Sequence, residues 1–350
     1  MLTHVTRVNS NNPEPSKIDA AAKILLKGGL VVFPTETVYG VGANALNPYA
    51  VKKIFLAKGR PADNPLIVHI GHTDDLQTLA KNVSRKAHRL AREFWPGPLT
   101  LVLEKSQREP EIATGGLDTI AIRIPSNKIS LSVIRTAGIP IAAPSANVSG
   151  RPSPTRVSHV LEDLYGKVDL IMDGGRTLIG LESTVMDMTP NVPILLRPGG
   201  LPIERIKETI GKISIHPSVL DPKDRLQNSN QHKSPGMKYR HYSPKADVIL
   251  VEGSKLRVRN KIIELARRMR NEQSKRVCIM TKNKDSKYTA DIVRFVGNDF
   301  KTMSSNLFEI FRYADNHNID AIIAEEVESV DLGLAVMNRL KRAAKEIIRV

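Results

Sequence analysis

Four short segments in the first two hundred residues join hydroxyl, amide and cationic side chains to the glycines and prolines that stiffen loops. PTETVYG (34–40) follows an apolar run, and its Thr35, Thr37 and Tyr39 alternate, so they line one side of an exit loop. Such hydroxyls either bind a polar ligand or close turns on their own backbone. KGRP (58–61) sets Lys58 and Arg60 around a glycine at the end of a helical pattern, and Pro61, Ala62, Asp63, Asn64 and Pro65 fix the loop that follows. Cations at a helix C-terminus suit the helix dipole in any protein. Two of them on one rigid turn also suit a polyphosphate. PSANVSGRPSPT (144–155) supplies Ser145, Asn147, Ser149 and Ser153 among Gly150 and three prolines. That composition lets backbone N–H groups approach phosphate or ribose, although many Ser/Pro/Gly loops only connect. Arg123 in TIAIRIP and Arg197 in LRPG (196–199) each interrupt an apolar strand pattern, with LESTV (181–185) between them. Either they decorate edges or they open a basic cleft on one sheet face. Serine-hydrolase order, HExxH and DxD arrays do not emerge, so hydrolytic readings lack support.

The elements that must hold these segments are well marked. Ser16 with Asp19 predicts a helix start that Gly28-Gly29 ends, followed by a buried strand over 30–33. Asn47-Pro48 predicts a capped helix through Ala57. Strand-like runs recur at 65–70, 99–103, 119–124, 140–143, 169–172, 184–188 and 193–196, with helical patterns near 83–94, 127–137, 155–165 and 202–210. This mixture predicts an α/β domain over 1–216 on one large, curved, mixed sheet. Residues 217–246 lose periodicity and read as a linker. Residues 247–350 alternate regularly: strands at 248–251, 277–281, 292–296 and 321–324, helices near 255–271 and 301–316, and a last helix from about Leu332. That predicts a small Rossmann-like α/β/α domain. It has no GxGxxG after its first strand, and the chain has no GxxxxGK[ST], so the sequence gives no support for a dinucleotide or P-loop site of the usual kind.

Bulk composition narrows the function classes. At 350 residues the length favours two domains, and 41% hydrophobic content is normal for a globular chain. One cysteine, Cys278, allows no internal disulfide and no cysteine metal cluster. The polar N-terminus lacks a signal-like run and no stretch is long enough to span a bilayer, so the expectation is a cytoplasmic protein with no membrane partner. The net charge of +16 is spread along the chain, +7 over 1–216, +4 over 217–246 and +5 over 247–350. A diffuse positive excess suits anionic ligands from nucleotides to RNA. Aromatics at 4% argue against a dedicated single-strand RNA binder.

Taken together, PTETVYG, KGRPADNPLIVHI, the basic strand, PSANVSGRPSPT and LESTV resemble the YrdC-type threonylcarbamoyl-AMP synthases, over residues from roughly 15 to 212. Lys58-x-Arg60 with Ser145-x-Asn147 matches the family signature, which implies that these four residues are catalytic. SPGMKYRHYSP (234–244) and the Rossmann-like tail resemble the longer, two-domain branch. The resemblance implies that L-threonine, bicarbonate or CO2, and ATP give threonylcarbamoyl-adenylate and pyrophosphate, for transfer by a second machinery to an adenosine beside the tRNA anticodon. It implies Thr35, His69, Arg123, Ala143 and Ser183 around threonine, with Arg123 on its carboxylate. It likewise implies Lys58, Arg60, Ala62, Thr119, Ser145, Asn147, Ser153, Arg197, Tyr239 and Arg240 around ATP, and Mg2+ arriving with the nucleotide. Both reacting species are anionic, so cationic clamps and desolvation matter more than a strong base.

Tyr239, Arg240 and Tyr242 between two prolines favour a lid over the nucleotide rather than an inert spacer. The principal alternative function is an RNA-binding or ribosome-associated module that uses the basic cleft without chemistry, with weak RNA binding as its remnant in an enzyme. Carbamoyl transfer from carbamoyl phosphate is a further alternative, since related domains occur within carbamoyltransferases. It expects an acylphosphatase-like or zinc-finger segment, which the chain lacks.

Overall fold

The structure is a computed structural model that describes residues 2–106, 111–220, 242–284 and 288–350. The chain divides into two compact units, Met1–Ser149 with Ser153–Lys238, and Gly150–Pro152 with Tyr239–Val350.

In the first unit the described residues build a mixed sheet of twelve strands. They are β1 (His4–Arg7), β2 (Val31–Pro34), β3 (Tyr39–Asn44), β4 (Ile67–His69), β5 (Ala80–Lys81), β6 (Leu99–Lys105), β7 (Thr119–Arg123), β8 (Ile141–Ala142), β9 (Leu170–Asp173), β10 (Thr184–Asp187), β11 (Ile194–Arg197) and β12 (Ser214–Ile215). Their order is β1-β9-β2-β3-β8-β4-β7-β6-β10-β11-β12, with β5 beside β6. Apolar residues of β2 and β9 pack against helices Pro15–Leu26 and Lys128–Ala137, and Val31, Phe33, Leu25, Val133 and Met172 are buried there. Each such side chain contributes about 1.5–3 kcal/mol when buried. That core backs the end of β2 that leads into Thr35, and a second cluster of Ile67, Val102, Ala121, Val185 and Leu196 backs the strands that carry His69, Arg123 and Arg197.

Two registers matter for the site. Parallel pairing of β4 with β7 sets His69 opposite Arg123. Antiparallel pairing of β10 with β11 sets Val185 opposite Arg197. PTETVYG turns out to be a hairpin tip: β2 ends at Pro34, β3 begins at Tyr39, and these two residues pair. The helix Pro48–Lys58 starts as the sequence predicts. Asn47 Oδ1 accepts the N–H groups of Tyr49 and Ala50 at 3.0 and 3.2 Å. It closes at Gly59, whose φ of 59° is the left-handed conformation glycine adopts without strain.

The start of the first helix differs from expectation. It spans Pro15–Leu26 with Glu14 as cap, and Ser16 lies inside it. Pro15 takes the first helical position, where its fixed φ helps and its missing N–H costs nothing. Glu14 meanwhile bonds Lys17 and the Asn9 N–H.

In the second unit the described residues form five parallel strands, β13 (Asp247–Glu252), β14 (Val277–Thr281), β15 (Ile292–Phe295), β16 (Ala321–Glu325) and β17 (Ala344–Arg349), in the order β15-β14-β16-β13-β17. Helices Lys255–Gln273, Phe300–Asn316 and Leu332–Ala343 connect them. The final strand is a departure from the sequence pattern, which reads as helix from Leu332 onward. Cys278 is buried within β14, and burial pushes its thiol up to about 12, which leaves it unreactive. Among the described residues no helix is long and apolar enough to cross a membrane.

Candidate functional site

The hairpin tip is organised by its own threonines. Thr35 Oγ1 donates to Val38 O at 2.6 Å and accepts the N–H groups of Thr37 and Val38. Thr37 Oγ1 lies 2.7 Å from Thr35 Oγ1 and accepts from Arg123 Nη1 at 3.0 Å. Arg123 closes β7 and also donates Nε to Gly97 O at 3.1 Å. Its Nη2 stands 2.6 Å from Glu36 Oε1, and both partners of this ion pair are about 4% exposed. Thr35 and Thr37 thus share one side, as their alternation predicts. Tyr39 instead enters β3 and hydrogen-bonds Gly175 O and the Gly174 N–H.

Backbone bonds join this tip to the other segments. Ile179 N–H donates to Glu36 O and Gly180 N–H to Thr37 O, which brings LESTV alongside. Ala146 N–H donates to Tyr39 O and Tyr39 N–H to Pro154 O, which seats PSANVSGRPSPT. Lys58 then ties in KGRP: its Nζ donates to Ser145 O and Asn147 O at 2.5 and 2.6 Å, and Ser149 N–H donates to Lys58 O. Lys58 is 1% exposed. Lys58 is thus part of the core, although a cation at a helix end suits a solvated position equally well. The loop after β8 folds over the helix end and encloses the ammonium, and backbone carbonyls compensate its lost hydration. Arg60 is half-buried and clamps its own loop through Asn64 O and Pro65 O.

On the neighbouring strands, Arg197 donates Nε and Nη2 to Ser183 O at 3.1 and 3.0 Å, and Ser183 Oγ meets Thr100 Oγ1 at 2.7 Å. Gly199 permits this approach, because a Cβ there would overlap the carbonyl of Glu182. Ser153 Oγ donates to Glu182 Oε1 at 2.5 Å in a buried contact.

His69 is buried beside Arg123, and Ala143, just past β8, donates its N–H to Ile67 O. Burial, with the Arg123 charge adding to it, lowers the His69 pKa from 6.5 to about 3. Its Nδ1 faces Ile67 O at 3.3 Å, so the neutral ring carries the proton there and offers Nε2 as acceptor. Folding is therefore linked to pH through this group with a definite sign. The unfolded histidine protonates below about 6.5 while the folded one stays neutral until about 3, so its contribution is complete at pH 7 and is lost as pH falls across that window. Stability of His69→Gln, measured by urea unfolding from pH 7 to 4, is expected to fall less steeply than wild type, by up to about 1.4 kcal/mol per pH unit.

Ala62 is exposed on the turn after Arg60, and Thr119 is half-buried at the start of β7, four residues from Arg123. Four residues of strand span about 13 Å, so Thr119 stands away from Arg123 along β7. Tyr239 and Arg240, and most of the lid expected at 234–244, lie outside the described residues. Two buried carboxylates, Glu36 and Glu182, were not among the sequence candidates. Their signal was position: each lies inside a segment already singled out.

A family model named Sua5_yciO_yrdC, described as "Telomere recombination", matches residues 23–199. A second, described as "Threonylcarbamoyl-AMP synthase, C-terminal domain", matches residues 201–345. The threonylcarbamoyl-AMP synthase of Pyrococcus abyssi is 53% identical over 331 residues, covering 95% of both chains. The chain belongs to the threonylcarbamoyl-AMP synthase family. The Bacillus subtilis threonylcarbamoyl-AMP synthase is 44% identical over 96% of this chain and 94% of its own. Among solved structures, that of P. abyssi Sua5 complexed with L-threonine matches with a TM-score of 0.93 at 50% identity, over 100% of both chains. Escherichia coli YciO, at 26% identity and a TM-score of 0.51, covers 57% of this chain and 96% of its own. The family therefore accounts for both units, and the cluster around Arg123 and Lys58 lies in the part that matches the first model.

Proposed function

We propose that this chain is an L-threonylcarbamoyladenylate synthase, a nucleotidyltransferase that condenses L-threonine, bicarbonate or CO2, and ATP. The observation that carries the reading is the full-length match to synthases, one relative having been solved with L-threonine. A binding module without chemistry is not favoured, since the relatives matched end to end are named as synthases.

Arg123 holds the threonine carboxylate, with Thr35, neutral His69, Ala143 and Ser183 around the rest of the molecule. Lys58, Arg60, Ala62, Thr119, Ser145, Asn147, Ser153 and Arg197 belong to the ATP side, with Tyr239 and Arg240 contributed by the linker. The amine of threonine attacks CO2 and loses a proton, which gives a carbamate. A carbamate oxygen then bonds the α-phosphorus of ATP, and the bond to the β-phosphate oxygen breaks to release pyrophosphate. Both reactants are anions, so buried cations held on backbone carbonyls lower the barrier by being aimed beforehand. Mg2+ would shield the phosphates. Mg2+ usually keeps several waters and is held through one or two carboxylates and the substrate phosphates, so it would arrive with ATP. The product, a mixed anhydride, suits a downstream machinery that passes the threonylcarbamoyl group to tRNA, in the cytoplasm.

The test is pyrophosphate release with ATP and labelled bicarbonate. Turnover is expected to require threonine and bicarbonate together, with serine poorer by about 1–3 kcal/mol for its missing methyl. Equal turnover without an amino acid would sink the reading.

A further inference from the structure

Glu36, at the hairpin tip, has no place among the ligand-binding residues assigned above, and its surroundings are unusual. Its carboxylate is buried, yet no N–H or O–H of the described residues hydrogen-bonds either oxygen. Arg123 Nη2 lies 2.6 Å from Oε1 but is not aligned for a hydrogen bond. The backbone around it is bonded on both sides, Thr35 N–H to Val38 O before it, and Glu36 O and Thr37 O to the N–H groups of Ile179 and Gly180 after it. Burying a carboxylate with acceptor capacity to spare is costly. If its task were to hold Arg123, aligned hydrogen bonds would be expected, because guanidinium and carboxylate match each other in a planar fork.

An α-amino acid carries an ammonium and a carboxylate on one carbon. Arg123 and Glu36 present the complementary charges side by side. We propose that Glu36 accepts hydrogen bonds from the ammonium group of the amino-acid substrate while Arg123 takes its carboxylate. The inference rests on the synthase reading above and deepens it: the site selects a zwitterion, so carboxylates without an α-ammonium bind poorly. The threonine hydroxyls of the tip supply shape and further polarity around this pair.

The experiment compares two ligands on the full-length protein by calorimetry: L-threonine, and 2,3-dihydroxybutyrate, in which a hydroxyl replaces the ammonium. In Glu36→Gln, threonine is expected to bind about thirty-fold more weakly, as for loss of a hydrogen bond to a charged group. The dihydroxybutyrate constant should change little, and ATP affinity not at all. Equal weakening of both ligands would mean that Glu36 merely props Arg123, and the proposal falls. Should Glu36→Gln fail to fold, Glu36→Asp decides. It keeps the charge but shortens its reach, so the preference for threonine over the analogue should drop several-fold, and an unchanged preference overturns the proposal. Failure of the wild type to bind threonine at all would instead remove the synthase reading, and this inference with it.

Discussion

Arg123→Met is expected to cost about 3–5 kcal/mol of folding stability and to abolish amino-acid binding. The stability loss has a specific source. Removing the guanidinium leaves the Glu36 carboxylate buried without its counter-charge, and breaking one side of a buried pair is far worse than removing both. It also strands Thr37 Oγ1 and Gly97 O, which lose their donors. Arg123→Met with Glu36→Gln should therefore recover much of the stability, because the neutral pair no longer pays for an isolated charge, while threonine binding stays lost. Urea unfolding of the two single variants and the double variant measures the coupling directly. If the double variant loses as much as the two single variants added together, the coupling is zero, the pair contributes nothing to the fold and Arg123 is free to serve the substrate alone.

What could be read from the sequence divides along physical lines. Asn47, Pro48 and Gly59 announced their helix because capping is local chemistry, settled within a few residues. The strands carrying Arg123 and Arg197 were visible because each is a short apolar run of strand length. Glu36 and Glu182 were not, since nothing in a carboxylate's neighbours along the chain says whether distant segments will bury it. The bond from Ser153 to Glu182 joins residues 29 apart, and the pairing of Arg123 with Glu36 depends on the order of strands. Ala344–Arg349 was missed for a related reason. The run LKRAAKEIIR continues a helical pattern, and only pairing with β13 makes its end a strand. At Ser16 a plausible cap lost to a proline one residue earlier.

Lys58 shows the same division and leads to the other large effect. Its place at a helix end is one where a cation suits the helix dipole whether or not it is buried. The structure puts its Nζ between Ser145 O and Asn147 O, with the side chain almost fully buried. Lys58→Ala should therefore act twice. The loop that carries Ser145 and Asn147 loses the donor that closes it, and two buried carbonyls lose charge-assisted bonds worth about 1.5–3 kcal/mol each, part of which water recovers. A stability loss of about 2–4 kcal/mol is expected. The rate of adenylate formation should fall by about 3 kcal/mol in barrier, as for loss of one pre-aimed donor. Lys58→Met separates the two effects. It keeps the apolar stem that packs under the loop, so it should regain some stability yet none of the rate. The comparison needs urea unfolding and adenylate yield for wild type, Lys58→Ala and Lys58→Met at a temperature where all three are folded. If Lys58→Met restores the rate along with the stability, the ammonium serves only the loop, and the phosphates must be met by other cations.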